Sequence, residues 1–224
     1  MMRLISRAGM LVLLLLFLVG SIAEARANDS KVEWKDSSYN FSKIKTVMIK
    51  DIEIDGDVSD LQRRVLLDKY HKEIQKALGE KGMAEAKARR RAELKFGVLE
   101  ASDEELLSIV DSYLTAKVTR YQIDSYIIPA HYETKYHTYT DTWYDKDGHK
   151  HERTHSIPYQ EYIPEREVPV ASVDITFSLY DLATNQLILS RQECRNRDWS
   201  YDMEGVYGRI TGSFAGWLKD SIQK

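Results

Sequence analysis

Residues 173–190 read V-D-I-T-F-S-L-Y-D-L-A-T-N-Q-L-I-L-S. Val173, Ile175, Phe177 and Leu179 alternate with Asp174, Thr176, Ser178 and Tyr180, so the segment is a strand with one dry face and one wet face. Thr184-Asn185 supplies a turn, and Leu187 to Glu193 returns as the partner strand. A hairpin with one apolar face needs a cover, and the closing segment offers one. Met203, Val206, Tyr207, Ile210, Phe214 and Leu218 recur at helical spacing behind Asp202, a capping residue, which predicts an amphipathic helix lying on the sheet. Gly208, Gly212 and Gly216 recur every fourth residue in that helix, each costing about 1 kcal/mol relative to alanine. Close packing of the helix backbone against the sheet is the expected compensation, with a partner-docking surface as the alternative.

Further out, Tyr113 to Ile128 carries β-branched and aromatic residues up to the break at Pro129, and extends the β region. Ile44 to Ile54 predicts a first strand whose alternation slips between Ile49 and Ile52, the mark of a bulge or of burial on both faces. Ser59 with Gln62 forms a capping box that opens a helix, with Leu61, Val65, Leu66, Ile74, Ala77 and Leu78 as its buried stripe. Residues 83–100 continue as a second helix, on which Glu85 and Glu93 flank Arg89-Arg90-Arg91 at helical spacing, so the arginines read as a solvated face rather than an anion site. Ser102 with Glu105 caps a further short helix. These elements define an α/β chain of the α+β kind: a mixed or mostly antiparallel sheet covered by helices on one face, with a long projecting β-hairpin.

The amino terminus reads as an export leader. Arg3 and Arg7 precede an apolar run from Leu11 to Val19, and Ala23-Glu24-Ala25 is a small-x-small cleavage site, with a cut after Ala27 as the variant. The uncharged stretch 8–23 is shorter than the ~20 residues a spanning helix needs. The expected division is therefore a signal peptide at 1–25, an arm or short leading strand at 26–43, and a single domain at 44–224. No stable membrane span is expected after cleavage, and the chain is expected in the periplasm or outside the cell. The only cysteine, Cys194, lies far from the cut, which argues against lipid attachment there, and it can form no internal disulfide. Its side chain reads as a half-buried small residue, or else as a thiol for pairing between chains. Lys and Arg total 32 against 35 Asp and Glu, so there is no basic excess to grip nucleic acid.

The segment from His131 to Pro164 asks most for a functional explanation. It holds five of the six histidines in the chain, with interleaved tyrosines and Trp143. Asp147-Gly148 is a two-residue hairpin signal, and centring the turn there opposes Tyr144 to His151, Thr142 to Arg153 and Thr140 to His155. One face then carries Tyr136, Tyr144, His149, His151, Arg153 and His155. The other carries His131, His137, Tyr139, Asp141, Trp143 and Glu152. Neither face is apolar enough for a core, so the hairpin is expected to stand in water.

His149 and His151 lie about 6.6 Å apart along one face at ~3.3 Å per residue, a candidate metal pair that needs a third ligand from elsewhere. Tyr136, Tyr139, Trp143, Tyr144 and His155 form a candidate contact surface, for a protein or for a glycan stacked on exposed rings. Histidines near Arg153 and Lys150 would gain charge as pH falls and loosen the hairpin or a partner contact. Self-association along the unpaired edge of the ribbon is the further reading. Catalysis has little support. There is no phosphate loop, nucleophile elbow or zincin motif, and nothing desolvates Asp141 and Glu152, which share a face in this register.

The order of leader, strand, capped helix, long antiparallel region and closing helix, together with the D-L-A-T-N turn at 181–185, resembles uncharacterised exported bacterial envelope α/β proteins, distantly similar in shape to the periplasmic domain of the curli secretion lipoprotein. The resemblance implies an accessory or assembly role with no cofactor and no catalytic residues. The chain departs from that pattern in lacking a cysteine for lipid attachment and in inserting the His/Tyr hairpin. An exported non-enzymatic protein acting through envelope partners or through its own copies is thus expected, with a metal- or glycan-binding module as the alternative.

Overall fold

The computed structural model describes residues 29–223. The leader and both cleavage positions lie outside the described residues. Nine strands and four α-helices run in the order β1 (Ser30–Lys35), β2 (Val47–Ile49), β3 (Glu53–Ile54), α1 (Asp60–Leu78), β4 (Gly82–Ala84), α2 (Glu85–Phe96), α3 (Asp103–Leu106), β5 (Ser112–Ile128), β6 (His131–Tyr144), β7 (Lys150–Ile163), β8 (Arg166–Asp181), β9 (Leu187–Asp198) and α4 (Met203–Gln223). The main sheet has the order β1-β9-β8-β5-β2-β4, with β3 also on β5. Its β1, β9, β8 and β5 are antiparallel neighbours, whereas β2, β3 and β4 add in parallel. This is the mixed, mostly antiparallel α+β sheet of the sequence reading.

The alternation in β8 is realised as drawn, with Val173, Ile175, Phe177 and Leu179 fully buried and Asp174, Thr176, Ser178 and Tyr180 half-buried. Helices α1 and α4 close the dry face, where Phe214 stacks on Phe177 at a centroid distance of 3.9 Å. The slip between Ile49 and Ile52 is a break between β2 and β3, which run one after the other along the same edge of β5. Strand β2 is buried on both faces: Val47 and Ile49 join the main core, while Met48 packs with Met83, Ala88, Ala92 and Leu106 under α2 and α3.

Both capping boxes are present, at Ser59/Gln62 and Ser102/Glu105, and Asp202 Oδ1 accepts from Gly205 N–H at 2.8 Å to cap α4. Arg89 pairs with Glu85 and Arg90 with Glu93 at 3.2 Å, the solvated face expected for α2. The stripe on α1 is Leu66, Tyr70, Ile74 and Leu78, every fourth residue. Leu61 is 74% exposed and Val65 39%, because the sheet meets α1 one step round the helix from them. The close packing against the sheet expected of the α4 glycines is found at none of the three. A Cβ on Gly212 or Gly216 would meet nothing within 4 Å, and one on Gly208 would meet only the flexible end of Lys69.

The strand pair β5/β8 runs past the helices and becomes the stem of the projecting hairpin. A one-residue bulge at Thr119 shifts its register between Val118↔Ile175 and Arg120↔Asp174, and the new register holds to Ile128↔Arg166. Pro129 and Pro164 interrupt the ladder. It resumes in the same register at His131↔Ile163 and continues to Tyr144↔Lys150 as the separate two-stranded sheet β6/β7. Fourteen residues per strand at ~3.3 Å each make this ribbon roughly 45 Å long.

Candidate functional site: the histidine ribbon

The turn at the ribbon tip sets which side chains share a face. Gly148 N–H donates to the Asp145 carbonyl (3.1 Å) and Asp145 N–H to the His149 carbonyl (3.0 Å). Gly148 has φ +82°, whereas Asp147 is not among the residues of positive φ. This is a three-residue loop, a type I turn closed by a left-handed glycine, and not the two-residue turn expected from Asp147-Gly148. Register moves by one residue as a result. Trp143 now opposes His151, Asp141 opposes Arg153 and Tyr139 opposes His155. A one-residue slip sends side chains to the other face, so the two expected faces are corrected. His131, His137, Tyr139, Asp141, Trp143, His151, Arg153 and His155 share one face. Tyr132, Thr134, Tyr136, Thr138, Thr140, Thr142, Tyr144 and Glu152 share the other. Among the candidate contact residues, His155 changes sides: it joins Tyr139 and Trp143 on the histidine face, and Tyr136 and Tyr144 remain on the threonine face.

On the histidine face the rings stack in pairs across the strands. Tyr139 lies on His155 at 5.0 Å and 11°, and Trp143 on His151 at 5.5 Å and 17°. Carboxylates stand beside the imidazoles. Asp141 reaches His155 Nε2 at 3.1 Å, and Asp145 reaches His151 Nε2 at 3.0 Å and His149 Nδ1 at 3.1 Å. His131 contacts Glu133 at 3.3 Å and the Pro129 carbonyl at 2.9 Å. Bonds to these two oxygens, the carbonyl first, raise the His131 pKa. The bond from His151 and the backbone N–H of His149 hold the Asp145 carboxyl below the usual range. The imidazoles thus face Glu133, Asp141 and Asp145, carboxylates that the expectation of loosening in acid leaves out.

Asp145 is the residue that sequence reasoning missed. Its Oδ1 accepts from Asp147 N–H (3.0 Å) and His149 N–H (2.8 Å), while Oδ2 meets both imidazoles. An aspartate three residues before a glycine is the signal for this turn, and it was readable. Ligand atoms of Asp145, Asp147 and His149 lie within 4.8 Å of one another, and His151 shares Asp145 with them, so among the described residues this group could hold a cation. Asp141 and Glu152, expected to share a face, fall on opposite faces. On the threonine face Thr140 and Thr154 hydroxyls are 3.1 Å apart, and Tyr132, Tyr136 and Tyr144 are 68%, 64% and 66% exposed.

Other features are structural. Cys194 is half-buried in β9 opposite Ser30 and Asp174, and burial raises its thiol pKa, which disfavours the thiolate. An open cleft of about 290 Å³ lies between α1 and the start of α4, lined by Leu61, Val65, Tyr121 and Met203. No described helix is long and apolar enough to cross a membrane.

No family model matches the chain, and no curated protein matches it. Among solved structures, the PelC dodecamer from Paraburkholderia phytofirmans is similar over 85% of this chain and 97% of its own, at 11% identity and TM-score 0.46. Protein XCC0632 of Xanthomonas campestris, of family DUF330, is similar over 84% and 91%, at 10% identity and TM-score 0.44. Lipoprotein GNA1162 of Neisseria meningitidis is similar over 78% and 98%, at 11% identity and TM-score 0.38.

Proposed function

We propose that this chain is an exported, non-enzymatic envelope protein that acts through protein–protein contacts made by its β6/β7 ribbon. The observation that carries the reading is a ladder roughly 45 Å long, held clear of the core on a β5/β8 stem, with exposed rings on both faces. A domain gains little stability from a ribbon that buries so little of itself, whereas open strand edges and exposed aromatics are what recognition uses. The basic and apolar start of the sequence supports export, and the accessory role matches what the resemblance to envelope proteins implies. Separation of Asp141 from Glu152, and the water around both, supports a role without catalysis.

The test is to replace residues 131–164 by a short turn and compare cross-linked envelope complexes with those of the intact chain. Loss of the complexes with retained secondary structure and cooperative unfolding is expected. Unchanged complexes would refute the reading. The convergence of Asp145, His149 and His151 favours a metal-binding module as the second reading. It requires stoichiometric Zn²⁺ binding at neutral pH that His151→Ala abolishes.

A further inference from the structure

We infer that the partner of the ribbon is a second copy of this chain, joined by antiparallel pairing of β6 with β6 about a two-fold axis at Thr138. The inference rests on the reading that the ribbon makes protein contacts, and it names the edge, the register and the occupant.

The edge follows from hydrogen-bond parity. Asp145 N–H bonds to the His149 carbonyl, so odd-numbered residues of the ribbon turn their backbone groups towards each other and even-numbered residues turn theirs outward. On β7 the outward set includes Pro158, which has no N–H to offer and blocks strand addition. On β6 the outward set is Tyr132, Thr134, Tyr136, Thr138, Thr140, Thr142 and Tyr144, every one a complete donor and acceptor. Strand β6 is therefore the edge that can accept another strand, and β7 is the edge that stops growth.

The register follows from charge and length. An antiparallel two-fold places residues of one face opposite residues of the same face. With Thr138 on the axis, Lys135 opposes Asp141 of the second copy, His137 opposes Tyr139 and His131 opposes Asp145, each twice by symmetry. Centring on His137 or Tyr139 instead opposes Glu133 to Asp141 or to Asp145, which like charge penalises. The Tyr139/His155 stack within the ribbon would extend across the seam through His137. On the other face Thr138 meets Thr138, Thr134 meets Thr142 and Tyr132 meets Tyr144. The same register brings each tip level with Pro129 of the other copy, where the ladder already breaks. The stem then keeps the two bodies apart. Some fourteen backbone hydrogen bonds would form along the seam, giving a closed four-stranded sheet β7-β6-β6-β7 and a dimer rather than a fibre.

In a Cys194→Ser background, Thr138→Cys should oxidise to a disulfide-linked dimer, because an opposed hydrogen-bonded pair has its Cα atoms about 5.5 Å apart. Thr134→Cys should not, since its copy lies about 26 Å along the seam at 3.3 Å per residue. Lys135→Asp or Asp141→Lys alone should weaken dimerisation in sedimentation by about tenfold or more, and the two together should restore it. A monomer at ~100 μM, equal cross-linking at 134 and 138, or a dimer that survives removal of residues 131–164 would overturn the inference. If the ribbon captures another envelope protein while the chain stays monomeric, this inference falls and the wider reading stands. If ribbon removal changes no contact at all, both fall.

Discussion

Replacing Glu193 with leucine tests an ion pair sealed beneath α4. The side chains of Arg191 and Glu193 are each 1% exposed and are paired with one another. Arg191 also donates to Ser213 Oγ at 2.6 Å and to the Ser213 carbonyl at 3.2 Å, and stands 3.4 Å from Glu33 on β1. Glu193 has a second partner in Arg195, whose side chain is 32% exposed. Removing one member of a buried pair costs about 3–5 kcal/mol, because the survivor stays charged in a dry place. Here each survivor keeps one counter-charge, Arg191 with Glu33 and Glu193 with Arg195, so a loss of about 3 kcal/mol is expected for Glu193→Leu or Arg191→Met. With a urea dependence of about 2 kcal/mol/M, the midpoint should fall by about 1.5 M. The double variant leaves no stranded charge and should return to within about 1 kcal/mol of the parent. Urea unfolding followed by circular dichroism measures all three. Single losses below about 1 kcal/mol, or a double loss equal to the sum of the singles, would refute the reasoning.

Gly212→Ala and Gly216→Ala should each stabilise α4 by about 0.5–1 kcal/mol, since the added methyl meets open space and helix propensity rises; a fall in the melting temperature would contradict this. Tyr70 is fully buried and its hydroxyl has no partner among the described residues. Tyr70→Phe should therefore gain about 1 kcal/mol in urea unfolding, and a loss of that size would show that the hydroxyl is satisfied. The ribbon should respond to pH at two places, both readable by NMR. Asp145 has a lowered carboxyl pKa, so its contribution is full above ~4 and lost as pH falls through the lower folded value, loosening the tip in acid. His131 has a raised pKa, so its contribution is full below ~6.5 and lost as pH rises through the higher folded value, loosening the base. A His131 resonance titrating below ~6.5 would contradict the second.

Local rules made much of the fold legible. The capping boxes at Ser59 and Ser102, the β8 alternation and the slip after Ile49 each depend on neighbours within a few residues, and each appears in the structure. Strand β4 has three residues, too few for any period, and exists because β2 offers it an edge. Arg191 and Glu193 stand in the polar run R-Q-E-C-R-N-R, which gives no local sign that α4 buries them. Tyr70, at the centre of the α1 stripe, takes the buried place expected for Leu61 and Val65, because which arc of a helix meets a sheet is a tertiary choice.

The ribbon shows the same division most sharply. Its existence, its extent from residue 131 and its wet character were present in composition and in the Asp147-Gly148 turn. Which residues face together was not, because one turn residue more or fewer exchanges the faces. The choice of Asp145 as the turn aspartate and the bulge at Thr119 agree on one register, so stem and tip lock together. Sequence alone determined that this chain has a helix-covered sheet and a long hairpin in water, since hydrophobic period and turn chemistry act over short range. Only the tertiary structure decided that His131, His151 and His155 meet carboxylates on a single face, since register is set by hydrogen bonds between strands and not within them.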